Sequence, residues 1–114
     1  MLFRSKTFRA EAKLDYTYLV PPTINDDAVT EIARNAAVKV LSPDAPISCP
    51  KTMGGEDFSF FLEKVPGAIA LLGVGNEACG AIWAQHSGKY RVDESALLGG
   101  VMFYVQTAMD FNAQ

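Results

Sequence analysis

Between Thr7 and Leu19, apolar and polar residues alternate one for one. Phe8, Ala10, Ala12, Leu14, Tyr16 and Tyr18 fall on one side, and Thr7, Arg9, Glu11, Lys13, Asp15 and Thr17 on the other. A period of two predicts a long strand with one wet face. Pro21-Pro22 ends it, because neither proline can donate to a ladder. No second alternating run of that length follows, so this strand is expected to pair with a distant short strand or with another chain.

Downstream the pattern switches to helical spacing. Asn25-Asp26-Asp27 reads as a helix start, with Asn25 as N-cap and two carboxylates favoured by the helix dipole. Val29, Ile32, Ala33, Ala36, Ala37 and Val40 recur on one face, opposite Glu31, Arg34, Asn35 and Lys39, until Ser42-Pro43 stops the helix. The loop that follows leaves room for a short strand at Ile47 to Cys49. Gly54-Gly55 leads into a short helix over Glu56 to Lys64, acidic in its first turn and closed by lysine. Ala68 to Leu72 lacks alternation, as expected of a strand buried on both faces, and Ala81 to Ala84 offers a further short strand. From Asp93 as N-cap, Leu97, Leu98, Val101, Met102, Val105, Ala108 and Met109 form the apolar stripe of a closing helix. Gly99-Gly100 inside that helix costs about 1 kcal/mol per glycine, so the pair predicts close approach of a neighbouring element. The order of elements predicts an α/β fold whose first strand does not share a layer with the rest.

Composition narrows the function classes. The chain has 114 residues, 49% of them hydrophobic and 20% charged, and a net charge of −3, which excludes intrinsic disorder and suits one modest domain. A slightly acidic chain without a basic cluster predicts no nucleic-acid partner. The longest apolar run, Ala68 to Val74, is far short of the roughly 20 residues that span a bilayer, so no membrane partner is expected. Met1 to Lys6 has no apolar region behind its charges, which argues against a secretory leader, and Cys49 and Cys79 lack disulfide-framework or CxxC spacing. Both features predict a cytoplasmic protein with two free thiols. There is a single histidine, so one copy of the chain cannot assemble a two-histidine zinc site.

Three segments carry candidate chemistry. Gly73-Val74-Gly75-Asn76-Glu77-Ala78 fits the dinucleotide fingerprint in letters, but Cys79-Gly80 follows where a helix must open, so it reads as a strand-end turn. His86, beside Ser87, lacks the geometry that adjacency alone cannot give a catalytic pair. By position it is open to two roles, a metal or catalytic one and a hydrogen-bonded structural one. Gly54, Gly55, Glu56 and Asp57 let a ligand approach the backbone at a helix start, where partly unsatisfied amides could receive a carboxylate. An ordinary loop-to-helix cap accounts for the same residues equally well.

Taken in order, Pro22-Thr23-Ile24-Asn25-Asp26, Met53-Gly54-Gly55-Glu56-Asp57-Phe58-Ser59, Val65-Pro66-Gly67, Leu72-Gly73-Val74-Gly75-Asn76 and His86-Ser87-Gly88-Lys89-Tyr90 followed by Val92-Asp93-Glu94 carry a family likeness over essentially the whole chain. They resemble the C-terminal part of the metal-dependent N-acyl-amino-acid amidohydrolases and metallopeptidases of the aminoacylase, carboxypeptidase G, hippurate hydrolase and indole-acetyl-amino-acid hydrolase type.

The resemblance implies a two-metal exopeptidase-like catalytic domain interrupted by a lid, or dimerisation, domain. Residues 1–21 would be the last strand of that lid and residues 22–114 the C-terminal part of the catalytic domain. His86 matches the family's last metal ligand, and Gly54, Gly55, Glu56 and Asp57 match the segment lining the pocket beside the metals. Paired divalent ions, zinc or manganese, would polarise the amide carbonyl of an N-acyl amino acid in the intact enzyme. The family's general base and remaining ligands belong to an N-terminal catalytic part that these residues do not include. The expectation is therefore a hydrolase segment that is inactive and binds no stoichiometric metal as an isolated chain. The alternative is a non-catalytic oligomerising module of the same fold; a third reading is an unrelated small α/β ligand-binding domain. The unpartnered first strand also predicts a homo-oligomer.

Overall fold

The computed structural model describes residues 2–113. Among them the regular elements are helices: α1 (Leu2–Thr7), α2 (Asp27–Val40), α3 (Ser59–Leu62) and α4 (Ser95–Asn112), with a 3-10 turn at Glu77–Cys79. Asp26 caps α2, its Oδ1 accepting the Val29 N–H at 2.9 Å while the Thr30 hydroxyl donates to its carbonyl at 2.7 Å. Asn25, the expected cap, is used elsewhere. Its Nδ2 donates to the Ile69 carbonyl and its Oδ1 accepts the Ile69 N–H, both at 2.9 Å. One side-chain amide thus stands in for a neighbouring strand. The Asp26 N–H adds a 2.8 Å bond to the Gly67 carbonyl, so the segment after α3 is moored to the start of α2.

The core lies where α2 packs against α4. Its buried apolar members are Ile32, Ala36 and Ala37 of α2, joined by Ala81. The glycine pair of α4 meets the close neighbours that its cost implied. A Cβ at Gly99 would stand 3.0 Å from Leu41 Cδ2, and one at Gly100 would stand 3.0 Å from Leu72 Cδ2. Lys39 Nζ then ties α2 to α4 by donating to both Asp110 carboxylate oxygens at 2.8 Å. Gln106 Nε2 donates to Asp110 Oδ1 at 2.9 Å. These two donors, Lys39 foremost, hold the Asp110 carboxyl below its ordinary range.

The α/β expectation is corrected within this chain: among the described residues there is no strand, only an isolated antiparallel bridge between Asn76 and Ala81. The long strand expected over 7–19 is absent, and its first residue closes α1. The physical reason is the one the alternation already raised. A strand exists only against a partner ladder, and among the described residues 11–25 make no backbone–backbone hydrogen bond. Among the described residues the expected strands at 47–49 and 68–72 likewise form no ladder, and at Ile69 the Asn25 side chain takes both backbone groups. At 81–84 only Ala81 pairs, with Asn76. The helix expected over 56–64 contracts to Ser59–Leu62 flanked by turns. α4 begins at Ser95, two residues past Asp93, whose Oδ1 still accepts the Ser95 N–H at 3.0 Å and the Ser95 hydroxyl at 2.7 Å.

The chain leaves much of itself in water. Its accessible surface is 9950 Å², whereas a folded monomer of 12.3 kDa scales to roughly 6,100 Å². Its radius of gyration is 19.7 Å, against about 13 Å for a compact domain of this length. Met53, Ile47, Phe8 and Tyr16 are exposed outright. No helix among the described residues is long and apolar enough to cross a membrane.

Candidate functional site

The loop 53–58 turns into α3 through bonds made by Glu56. Its Oε1 accepts the Phe58 N–H at 3.1 Å, and its carbonyl accepts the hydroxyl of the fully buried Ser59 at 2.6 Å. The Glu56 carboxylate is therefore engaged in closing its own turn. Gly54 faces open space, while Gly55 lies so close to Val20 that a Cβ would be 3.1 Å from Val20 Cγ2. Among the described residues the N–H groups of Gly55, Glu56 and Asp57 have no partner, which leaves them available to an incoming acceptor.

Glu56 and Asp57 line a groove of about 470 Å³ together with Ala33 of α2, Phe61 of α3, Ile69 and Phe103 of α4. The Phe58 and Phe61 rings stack 5.9 Å apart and stiffen one wall. A wider depression of about 590 Å³ lies between the start of α2 and the end of α3, lined by residues 24–27 and 62–67.

His86 sits apart from both. It occupies a turn closed by the Ser87 N–H donating to the Ala84 carbonyl at 3.3 Å, and its φ of 67° is left-handed. That conformation is uncommon for a residue with a side chain, though histidine tolerates it better than most. Lys89 braces the turn: its ammonium lies 4.8 Å from the Trp83 ring centre, and its N–H donates to Ser87 Oγ at 3.2 Å. The imidazole is exposed and lines neither groove. Glu56 and Asp57, neighbours in sequence, thus line one groove, and His86 stands on a separate turn. An exposed imidazole is a competent ligand for a divalent ion, but among the described residues no group of three or more His, Cys, Asp or Glu side chains could hold one. The donor set of these residues does not by itself fit a metal centre.

The fingerprint-like segment behaves as a closed turn. Asn76 Oδ1 accepts the Ala78 N–H at 3.0 Å, the 3-10 turn ends at Gly80 with φ 76°, and Asn76 and Ala81 exchange backbone bonds of 2.9 Å. Asn76 Nδ2 also donates to Asp93 Oδ2 at 2.7 Å, and the Asp93 N–H donates to the Val74 carbonyl at 2.9 Å. The Asn76 amide, followed by Ser95, lowers the Asp93 pKa. Sequence reasoning missed this clasp, the paired hydrogen bonds between Asn25 and Ile69 and the Lys39–Asp110 pair. No local spacing signals them, since the last two cross 44 and 71 residues.

Residues 8–110 match the model of peptidase family M20/M25/M40. The chain is 37% identical over 94 residues to a putative glutamate–cysteine ligase 2-3 of Rhodococcus jostii, covering 82% of this chain and 12% of that protein. It is 31% identical over 90 residues to an IAA-amino acid hydrolase ILR1-like 6 of Arabidopsis thaliana, covering 79% and 19%. It is 37% identical over 93 residues to thermostable carboxypeptidase 1 of Saccharolobus solfataricus, covering 81% and 23%. The chain therefore spans less than a quarter of these relatives, and only about an eighth of the first. No solved structure matches significantly. Enzymes of the matched family hydrolyse amide bonds and generally depend on divalent metal. By the match through residues 8–110, this chain belongs to peptidase family M20/M25/M40.

Proposed function

We propose that these residues are the C-terminal segment of a metal-dependent amidohydrolase that cleaves the amide bond of N-acyl amino acids or small peptides. The family match over residues 8–110 is the observation that carries this reading. Two relatives, an IAA-amino acid hydrolase and a carboxypeptidase, support the substrate class. Residues 1–21 belong to the end of a lid domain and residues 22–114 to the catalytic domain. In the intact enzyme His86 serves as one ligand to zinc or manganese, and Gly54, Gly55, Glu56 and Asp57 face the substrate. The surplus exposed surface supports a role as part of a larger body.

The isolated chain is inactive and takes up no stoichiometric metal, because one ligand cannot hold a binuclear site. Calorimetric titration with zinc and with manganese, followed by assay of amino acid release from N-acyl amino acids, tests this directly. One tightly bound ion per chain, or measurable release, overturns it. The mass of the native protein then shows whether an N-terminal catalytic part accompanies these residues. The second reading, a non-catalytic oligomerising module, is favoured by the unpaired backbone of residues 11–25. A native protein without any accompanying catalytic part would favour it.

A further inference from the structure

His86 stands at the tip of a loop whose base is closed without it. Asn76 and Ala81 exchange backbone bonds of 2.9 Å, Asn76 Nδ2 donates to Asp93 Oδ2 at 2.7 Å, and the Asp93 N–H donates to the Val74 carbonyl at 2.9 Å. Ala81 is buried, whereas residues 82–86 beyond it are exposed. The tip therefore has no core to hold it, and its shape rests on its own contacts.

Those contacts form two consecutive turns that share Ser87. The Ser87 N–H donates to the Ala84 carbonyl at 3.3 Å, and the Ser87 carbonyl accepts the Tyr90 N–H at 3.0 Å. His86 lies inside the first turn with its left-handed φ of 67°. Gly88 lies inside the second, where the missing Cβ enlarges the freedom that closure must give up. Among the described residues no hydrogen bond holds the His86 side chain, so the backbone aims the imidazole.

A left-handed residue and a glycine both work against a defined tip. One contact that crosses both turns works for it: the Lys89 ammonium, 4.8 Å from the Trp83 ring centre. The six peptide units from Trp83 to Lys89 would span roughly 20 Å if extended. The contact thus exists only while the turns are closed, and its free energy favours the closed state alone. An exposed cation–π contact is of the same order as the cost of placing a residue with a Cβ in the left-handed region. It is large enough to decide the balance.

We propose that Lys89 and Trp83 are positioning residues for His86: their contact holds the double turn closed and fixes where the imidazole stands. A group that must act on a ligand works only when its own support is fixed. The purpose of this device rests on the reading of His86 as a working group of the intact enzyme; its geometry does not.

Proton NMR on the whole metal-free chain tests it, with one histidine and one tryptophan as unambiguous reporters. Lys89→Gln removes the cation from an exposed position, and Lys89→Arg keeps it. In Lys89→Gln the Ser87 amide should exchange roughly two- to fivefold faster. The coupling between the His86 N–H and Hα, which reads φ, should drift from its left-handed value towards that of an open chain. Lys89→Arg should restore both. Trp83→Leu should reproduce Lys89→Gln, and the double variant should add nothing further. The Asp93 amide, bonded to Val74 at the base of the loop, should exchange at the wild-type rate throughout. A Lys89→Gln chain whose Ser87 exchange and His86 coupling match the wild type overturns the proposal. So does a Lys89→Arg chain that behaves like Lys89→Gln, or an Asp93 amide that accelerates as much as Ser87. Because no metal or substrate enters these measurements, failure of the hydrolase reading leaves their outcome unchanged.

Discussion

Replacing Ile32 with alanine tests whether the α2–α4 contact organises the chain. Ile32 is 8% exposed, and its buried apolar companions, Ala36, Ala37 and Ala81, are all small. The substitution removes three carbons, a transfer loss of roughly 2.4 kcal/mol at about 0.8 kcal/mol per buried CH₂. Alanine returns about 0.4 kcal/mol as the better helix former. The net loss is then about 2 kcal/mol, the low end for such truncations, because a thin core can relax into the gap. Urea titration followed by far-ultraviolet circular dichroism reads this as a midpoint lowered by roughly 1–2 M, for a slope typical of small proteins. Val38→Ala on the same helix, where the side chain is exposed, supplies the comparison and should shift stability by no more than about 0.5 kcal/mol. An Ile32→Ala variant as stable as Val38→Ala would refute the view that this contact holds the helices together.

The Asp110 carboxyl is held below its ordinary value of 3.8, so its contact with Lys39 stabilises the fold at neutral pH and is lost as pH falls below 3.8 through the lowered folded value. Asp110→Asn should flatten that part of the acid unfolding curve followed by circular dichroism; an unaltered curve counts against the contact. Gly99→Ala gains about 1 kcal/mol of helix propensity. Its Cβ meets only the terminal methyl of the exposed Leu41, which can rotate away, so helix content and the thermal midpoint should rise. A fall would show that Leu41 is locked. His86→Gly should relieve the left-handed backbone and raise stability by roughly 0.5 kcal/mol, while His86→Ala should bring no gain. Thermal unfolding of the two variants decides this, and equal midpoints would mean that the turn stores no strain.

Helical spacing was enough to locate α2 and α4, but only α2 buries its stripe, at Ile32, Ala36 and Ala37, whereas the α4 stripe from Leu97 to Met109 stays exposed. The glycine pair of α4 was legible because residues so costly in a helix persist where something must come close, and Leu41 and Leu72 do. Caps were legible only in kind. Asn25 and Asp26 both suit the N-cap, and the choice fell to Asp26 because Ile69, 44 residues away, offered Asn25 two backbone groups at once. Glu56 and Asp57 line the groove beside α3, and nothing in the sequence signalled that Glu56 would spend its carboxylate on the Phe58 N–H.

Alternation over residues 7–19 determined a preference for strand and which side chains share a face. It could not supply the ladder, which belongs to whatever polypeptide lies alongside, and none of the described residues pairs with 11–25. Family membership was likewise written in short motifs whose residue types survive outside any fold. Local periodicity and residue chemistry are properties of neighbours along the chain and can be read from order alone. The Asn25–Ile69 clasp, the Lys39–Asp110 pair and the separation of His86 from the groove at Glu56 and Asp57 depend on distances between remote residues, which only the packing of α2 on α4 and the course of the loops decided.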